Sequence, residues 1–208
     1  MKYRYIVGID EVGRGPLAGP VSVGAVCINK FFDMSFFAGI RDSKKLSAQK
    51  RREWAGKVKK LGRSASGVRK NSSQKLNYSI ASVSSSVIDK IGINKAIALA
   101  ILRALNRLKI NPKECMVFLD GGLHAPPEYK KQRTIIRGDE KIAVISLASV
   151  IAKQHRDAKM EKYAEKYVGY GFEEHKGYGT FEHLKKIRML GMCDIHRRSF
   201  LKKFFARS

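Results

Sequence analysis

The apolar positions of this 208-residue chain fall into two periods. Tyr5 to Ile9 (YIVGI) is a short apolar run that predicts a buried strand delivering Asp10 and Glu11 at its end. Gly13-Arg14-Gly15-Pro16 and Ala18-Gly19-Pro20 then make a tight, shaped connection. Val21 to Ile28 (VSVGAVCI), rich in β-branched residues, predicts a second strand. A polar, basic helix follows, with Ser47 as its N-cap and an end near Leu61. A third strand is expected near Ser64 to Val68. Ile93 to Leu108 carries apolar residues at helical spacing, a stripe that reads as core. Met116 to Leu119 predicts a strand leading into Asp120-Gly121-Gly122, and Thr134 to Ile136 a short one leading to Gly138-Asp139. Ile145 to about Tyr167 reads as one long helix. Thr180 caps another, Phe181 to Leu190, which Gly191 closes. Strands mixed with helices in this order predict an α/β layer structure around one central sheet. The length suits one domain, residues 1–208, with a small helical C-terminal portion from about residue 175.

Composition narrows the class. With 44% hydrophobic residues, the chain has enough apolar material for a core and is not a disordered polymer. No apolar run approaches the roughly 20 residues of a membrane span. The start, Met-Lys-Tyr-Arg-Tyr, runs into the first strand without an apolar signal core, so a cytoplasmic protein is expected. Cys27, Cys115 and Cys193 are far apart and form no CxxC pair, which argues for reduced thiols rather than a zinc or redox site. Lys plus Arg number 42 against 18 Asp plus Glu, a formal charge of +24. Such an excess points to a polyanionic partner, most simply nucleic acid. A lysine excess that serves only solubility is the alternative.

Against that basic background, carboxylates stand at three expected strand ends: Asp10 with Glu11, Asp120, and Asp139. Carboxylates that converge repel one another and raise each other's pKa. A hard divalent cation, Mg²⁺ or Mn²⁺, relieves that repulsion through oxygen ligands. Two such ions roughly 4 Å apart can activate water and stabilise a leaving oxygen in phosphodiester hydrolysis. Spacing by itself leaves open that these acids are ordinary turn formers, since aspartate is common in turns.

The neighbours of the acids change the balance. Asp10-Glu11-Val12-Gly13-Arg14-Gly15-Pro16 followed by Ala18-Gly19-Pro20 resembles the opening signature of type 2 ribonuclease H, the ribonuclease HII family. Arg41-Asp42-Ser43-Lys44-Lys45-Leu46, Leu119-Asp120-Gly121, and Gly138-Asp139 with Ala148-Ser149-Val150-Ile151-Ala152-Lys153 and Arg156-Asp157 are similar to later segments of that family. So are His175-Lys176-Gly177-Tyr178-Gly179-Thr180 and Ile195-His196-Arg197-Arg198-Ser199-Phe200. Six motifs in the family's order, from about Tyr5 to Phe200, span nearly the whole chain. Val12 stands where alanine is frequent, and Gln154-His155 where a Val-x pair is usual. No extended tail with a clamp-binding segment is evident after Phe200, nor the extra N-terminal domain of the sister type 3 family.

The resemblance implies a ribonuclease H-like fold, a five-stranded mixed sheet flanked by helices with a small C-terminal helical part. It implies that Asp10, Glu11, Asp120 and Asp139 bind metal and catalyse. Gly13, Arg14 and Gly15 would lie against the sugar–phosphate backbone, where glycine permits close approach. With Tyr178 they would recognise the 2′-hydroxyl at an RNA–DNA junction, and Ser43 and Lys44 would bind phosphate near the cut. The implied substrates are RNA–DNA hybrids and ribonucleotide-containing duplex DNA, and a monomer is expected. Two other readings are a junction resolvase or integrase-type nuclease and an inactive basic nucleic-acid-binding module. The Lys-Gly-Tyr segment argues against the first. The four acids argue against the second, because uncompensated carboxylates beside phosphates weaken binding. Asp157 is expected to pair with its neighbour Arg156, while Lys153 and His196 stay open between site and structural roles.

Overall fold

The computed structural model describes residues 3–40, 46–66 and 76–205. Its strands are β1 (Tyr5–Val12), β2 (Val21–Asn29), β3 (Leu76–Val83), β4 (Cys115–Asp120) and β5 (Gln132–Ile135). They form one sheet in the order β3-β2-β1-β4-β5. The β1–β2 and β2–β3 pairs are antiparallel, and β1–β4 and β4–β5 are parallel. The expected mixed five-stranded sheet is therefore present. The longer helices are α1 (Ala48–Ser66), α3 (Ile93–Leu108), α5 (Ala143–Lys166) and α7 (Phe181–Leu190). Shorter ones are α2 (Ser85–Ile91), α4 (Gly138–Lys141), α6 (Phe172–His175) and α8 (Arg198–Phe205). No helix among the described residues is long and apolar enough to cross a membrane.

Three expectations change. β1 does not stop at Ile9, because its pairing with β2 continues to Val12↔Ser22. The strand expected at 64–68 is not there: residues 64–66 close α1, residues 67–68 lie outside the described residues, and the third strand is β3. Asp139 sits in the first turn of α4 rather than at a strand end, since β5 finishes at Ile135. The caps read from sequence hold. Ser47 Oγ accepts from Lys50 N at 3.2 Å and Thr180 Oγ1 from His183 N at 3.3 Å, and Gly191 ends α7 with φ 77°.

Strand alternation divides the core. Val7, Ile9, Val23, Ala25, Val117 and Leu119 face α3, whose stripe of Ala96, Ile97, Ala100, Ile101, Ala104, Leu105 and Leu108 is buried as expected. Val26 and Ile28 leave the other face and pack with Trp54 and Val58 of α1 and Leu147 and Ile151 of α5. Two glycines set how near α5 comes. A Cβ on Gly8 would lie 2.3 Å from the Val144 carbonyl, and one on Gly24 would lie 2.3 Å from the Ala148 carbonyl oxygen. The helix backbone thus rests directly on β1 and β2. Gly24 is the register partner of Asp10, so this contact places the N-terminal half of α5 beside the first acid.

Candidate active site

The β1–β4 ladder ends at Ile9↔Leu119. The next residues in that register are Asp10 and Asp120. They leave the same face of the sheet from neighbouring strands, which run about 5 Å apart. Glu11, by alternation, leaves the α3 face. All three line one cleft of about 400 Å³ at the carboxyl ends of the parallel strands. Crevices of this kind are where open α/β sheets bind ligands. Asp10 is buried, and its Oδ1 accepts the Glu11 amide at 2.8 Å. Ser149 of α5, one residue after the Gly24 contact, hydrogen-bonds the same carboxylate and favours its charged form. Asp120 Oδ1 accepts the Gly138 amide at 2.6 Å. Asp139 is completely buried and does not line the cleft, yet its charge reaches Asp10.

Burial first, and neighbouring charge second, disfavour the ionised forms of Asp10 and Glu11. Burial pushes the Asp10 carboxyl well above the ordinary aspartate value, and the charges of Glu11, Asp120 and Asp139 add to the rise. Burial also raises Glu11, partly offset by Arg14, whose Nη1 stands 3.9 Å from Glu11 Oε1. These hard oxygen donors suit a divalent cation, which would restore their ionised forms. Among the described residues, no group of three His, Cys, Asp or Glu side chains is already arranged to hold a metal ion.

The same cleft is also lined by Val12, Gly13, Arg14, Gly15 and Tyr178. Gly13 has φ +85°, and a Cβ there would strike Arg156 Nε at 2.2 Å, so the turn demands glycine. A Cβ on Gly15 would meet nothing within 4 Å, which leaves that stretch of backbone open to an incoming ligand. Tyr178 is 42% exposed and is held through its backbone: its amide donates to His175 O at 2.9 Å and its carbonyl faces His183 Nδ1 at 2.8 Å. The Gly177 carbonyl accepts the amides of Leu17 at 2.8 Å and Ala18 at 3.2 Å, which ties the Tyr178 segment to the 13–20 loop.

Ser43 and Lys44 lie outside the described residues, as do Arg41 and Asp42. Lys153 lines the cleft and bonds Asp157 at 2.8 Å. That corrects the expected Arg156–Asp157 pair, because Arg156 points into the core and bonds backbone carbonyls instead. His196 is buried and does not line the cleft. Its Nδ1 accepts the Cys193 amide at 2.9 Å and its Nε2 meets His183 Nε2 at 3.1 Å. Sequence reasoning did not pick out Ser149 or Arg51 as cleft residues; only the α5–sheet contact and the α1 docking bring them there. The three cysteines are free thiols.

A mixed five-stranded sheet of this order, flanked by helices and bearing acids near the carboxyl ends of the adjacent parallel strands β1 and β4, is the ribonuclease H fold. The chain belongs to the ribonuclease HII family, whose model matches residues 7–203. Ribonuclease HII of Caldicellulosiruptor bescii is 42% identical over 98% of this chain and 90% of its own length. The crystal structure of ribonuclease H2 from Pyrococcus horikoshii OT3 superposes with a TM-score of 0.74 at 25% identity, covering 98% of both chains. The crystal structure of Bst-RNase HIII in complex with Mn²⁺ shares the fold, with a TM-score of 0.64 at 17% identity over 96% of this chain and 65% of its own. The protein is thus a member of an endonuclease family of RNA-cleaving hydrolases.

Proposed function

We propose that this protein hydrolyses the RNA strand of RNA–DNA hybrids and cuts at ribonucleotides embedded in duplex DNA, leaving 3′-hydroxyl and 5′-phosphate ends. The observation that carries this reading is one cleft lined by Asp10, Glu11 and Asp120 together with Gly13, Arg14, Gly15 and Tyr178. An acid cluster by itself suits any metal nuclease. An acid cluster that shares its cleft with a glycine-shaped backbone and an exposed tyrosine suits one that inspects the sugar, and the 2′-hydroxyl is what distinguishes RNA from DNA.

In this reading Asp10, Glu11, Asp120 and Asp139 hold Mg²⁺ or Mn²⁺. The bound ion supplies Lewis acidity that activates water and neutralises charge on the phosphate. The Mn²⁺ complex of the Bst-RNase HIII relative supports that choice of metals. Ser149 keeps the Asp10 carboxylate oriented, and the Gly138 amide does the same for Asp120. The backbone of Gly13, Arg14 and Gly15 seats the ribose and its phosphate, while Tyr178 stacks against the sugar or base. Ser43 and Lys44 bind phosphate near the cut. Arg14, Arg51 and Lys153, more exposed than the buried Asp10, draw the strand in. The enzyme acts as a single catalytic domain, a monomer, in the cytoplasm.

The test uses three labelled substrates, an RNA–DNA hybrid, an all-DNA duplex and single-stranded RNA, each with Mg²⁺, with Mn²⁺ or with EDTA. Only the hybrid should be cut, only with metal, and a polymerase should extend the products from their 3′-hydroxyls. Comparable cutting of all-DNA duplex, or cutting in EDTA, contradicts the proposal.

A further inference from the structure

Arg156 and Arg197 head the largest fully buried side chains among the described residues, both at 0% exposure. Buried cations are ordinarily paired with carboxylates. These are not: among the described residues, no carboxylate stands within ion-pair distance of either. Both forks go instead to the backbone of the 13–20 loop. Arg197 donates to the carbonyls of Gly13 at 2.6 Å, Arg14 at 2.9 Å and Gly19 at 3.0 Å. Arg156 donates to Pro20 at 3.0 Å and Ala18 at 3.2 Å. Five carbonyls of one eight-residue loop are thus held by two guanidinium groups, one from α5 and one from the residue that precedes α8.

The arrangement takes two cations out of water. Burial and the neighbouring Arg156 push Arg197 down to about 9. Arg156 is also lowered by burial, and its Nη1 is left without a hydrogen-bond partner. Apolar side chains of the same volume would remove the buried charge but leave the five loop carbonyls without these donors. What they cannot do is fix five carbonyl directions at once, which a rigid planar donor fork does. Arg156 also lies 5.8 Å from the centre of the Tyr178 ring, so it stands between the 13–20 loop and that tyrosine.

Resting on the proposed ribose-sensing function, we propose that Arg156 and Arg197 are positioning residues for sugar recognition. By holding the carbonyls of residues 13–20 they hold the amides of Gly13 to Gly15 at one height above the cleft and at one spacing from Tyr178. Neither arginine touches substrate. Their effect should be largest where a single 2′-hydroxyl must be found, because a uniform hybrid offers many equivalent registers.

Arg156→Lys and Arg197→Lys, made separately, keep the charge and remove the fork; if one fails to fold, the other carries the test. Three readouts are compared with wild type: thermal unfolding, hydrogen exchange at the amides of Leu17, Ala18 and Gly19, and kcat and KM on a duplex with one ribonucleotide and on a uniform hybrid. The expected result is faster exchange confined to the loop. The kcat/KM on the single-ribonucleotide duplex should fall about 10- to 100-fold further than on the hybrid, carried mainly by KM, as small misplacements cost in positioned reactions. Unchanged loop exchange, or equal losses on both substrates that track a lower Tm, would overturn the positioning role. Wild-type protein inert on both substrates would instead sink the functional reading, and the ribose role with it.

Discussion

Asp10→Asn should make the protein more stable while removing its activity. Asn keeps the volume and an acceptor for the Glu11 amide, now donated at 2.8 Å. What it loses is one negative charge in a buried position next to Asp120. At a strand spacing of about 5 Å and an effective dielectric near 20, two such charges repel by about 3 kcal/mol. Protonation of Asp10 already relieves part of that, so a gain of roughly 1–2 kcal/mol in metal-free buffer is expected, or about 2–8 °C in Tm for a chain of this size. The sign follows from linkage. The folded-state pKa of Asp10 is raised, so its contribution to stability is fully present below the unfolded value near 4 and is lost as pH rises through the folded value. The advantage of the Asn variant should therefore grow with pH and vanish in acid. The assay is thermal unfolding in EDTA across pH, repeated with Mn²⁺, beside cleavage of an RNA–DNA hybrid. Mn²⁺ should stabilise wild type and not the variant, and kcat/KM should drop about 100-fold or more. A variant less stable than wild type at neutral pH, or one within a few-fold of wild-type activity, would refute the reasoning.

Three further outcomes are expected. Tyr178→Ala should lose more kcat/KM than Tyr178→Phe on a single-ribonucleotide duplex, since stacking is worth roughly 1–3 kcal/mol and one hydrogen bond about 1; equal activity of Tyr178→Ala and wild type would return the ring to a packing role. Gly24→Ala, whose methyl would meet the Ala148 carbonyl oxygen at 2.3 Å, should lower stability by about 1–3 kcal/mol in denaturant titration, and an unchanged midpoint would show that α5 is not pressed on the sheet. His183 and His196 are pushed down to about 4 by burial, so the stability they contribute is present above pH near 6.5 and lost as pH falls toward 4. Tm should decline over that window, and the Tyr178 amide and its neighbours should lose exchange protection there before the central strands do.

The elements visible in the sequence were those with a strong period or a chemical punctuation mark. The α3 stripe, the run feeding Asp10, and the Thr180 and Gly191 caps belong to that class. β3 was not legible, because Leu-Asn-Tyr-Ser-Ile-Ala-Ser-Val places serine and asparagine among its apolar residues and lies at the sheet edge. The lysine-rich α1 hid its own end, which drew the third strand forward onto residues that close the helix. At the site, the acids and the glycine loop announced themselves by motif. What held them did not. Arg156 and Pro20 are 136 positions apart, and Arg197 and Gly13 are 184 apart, so no local pattern reveals that a charged side chain serves a distant loop. The Ser149 contact likewise depends on two glycines that let one helix lie against the sheet.

The most direct measurement is cleavage of a DNA duplex carrying one ribonucleotide, with the product ends mapped, in Mg²⁺ and in EDTA. The account predicts a single cut at the ribonucleotide, 3′-hydroxyl and 5′-phosphate ends, complete dependence on metal, and loss of the cut in Asp10→Asn. An intact duplex under conditions where a uniform hybrid is digested, or a cut that survives EDTA, would contradict it.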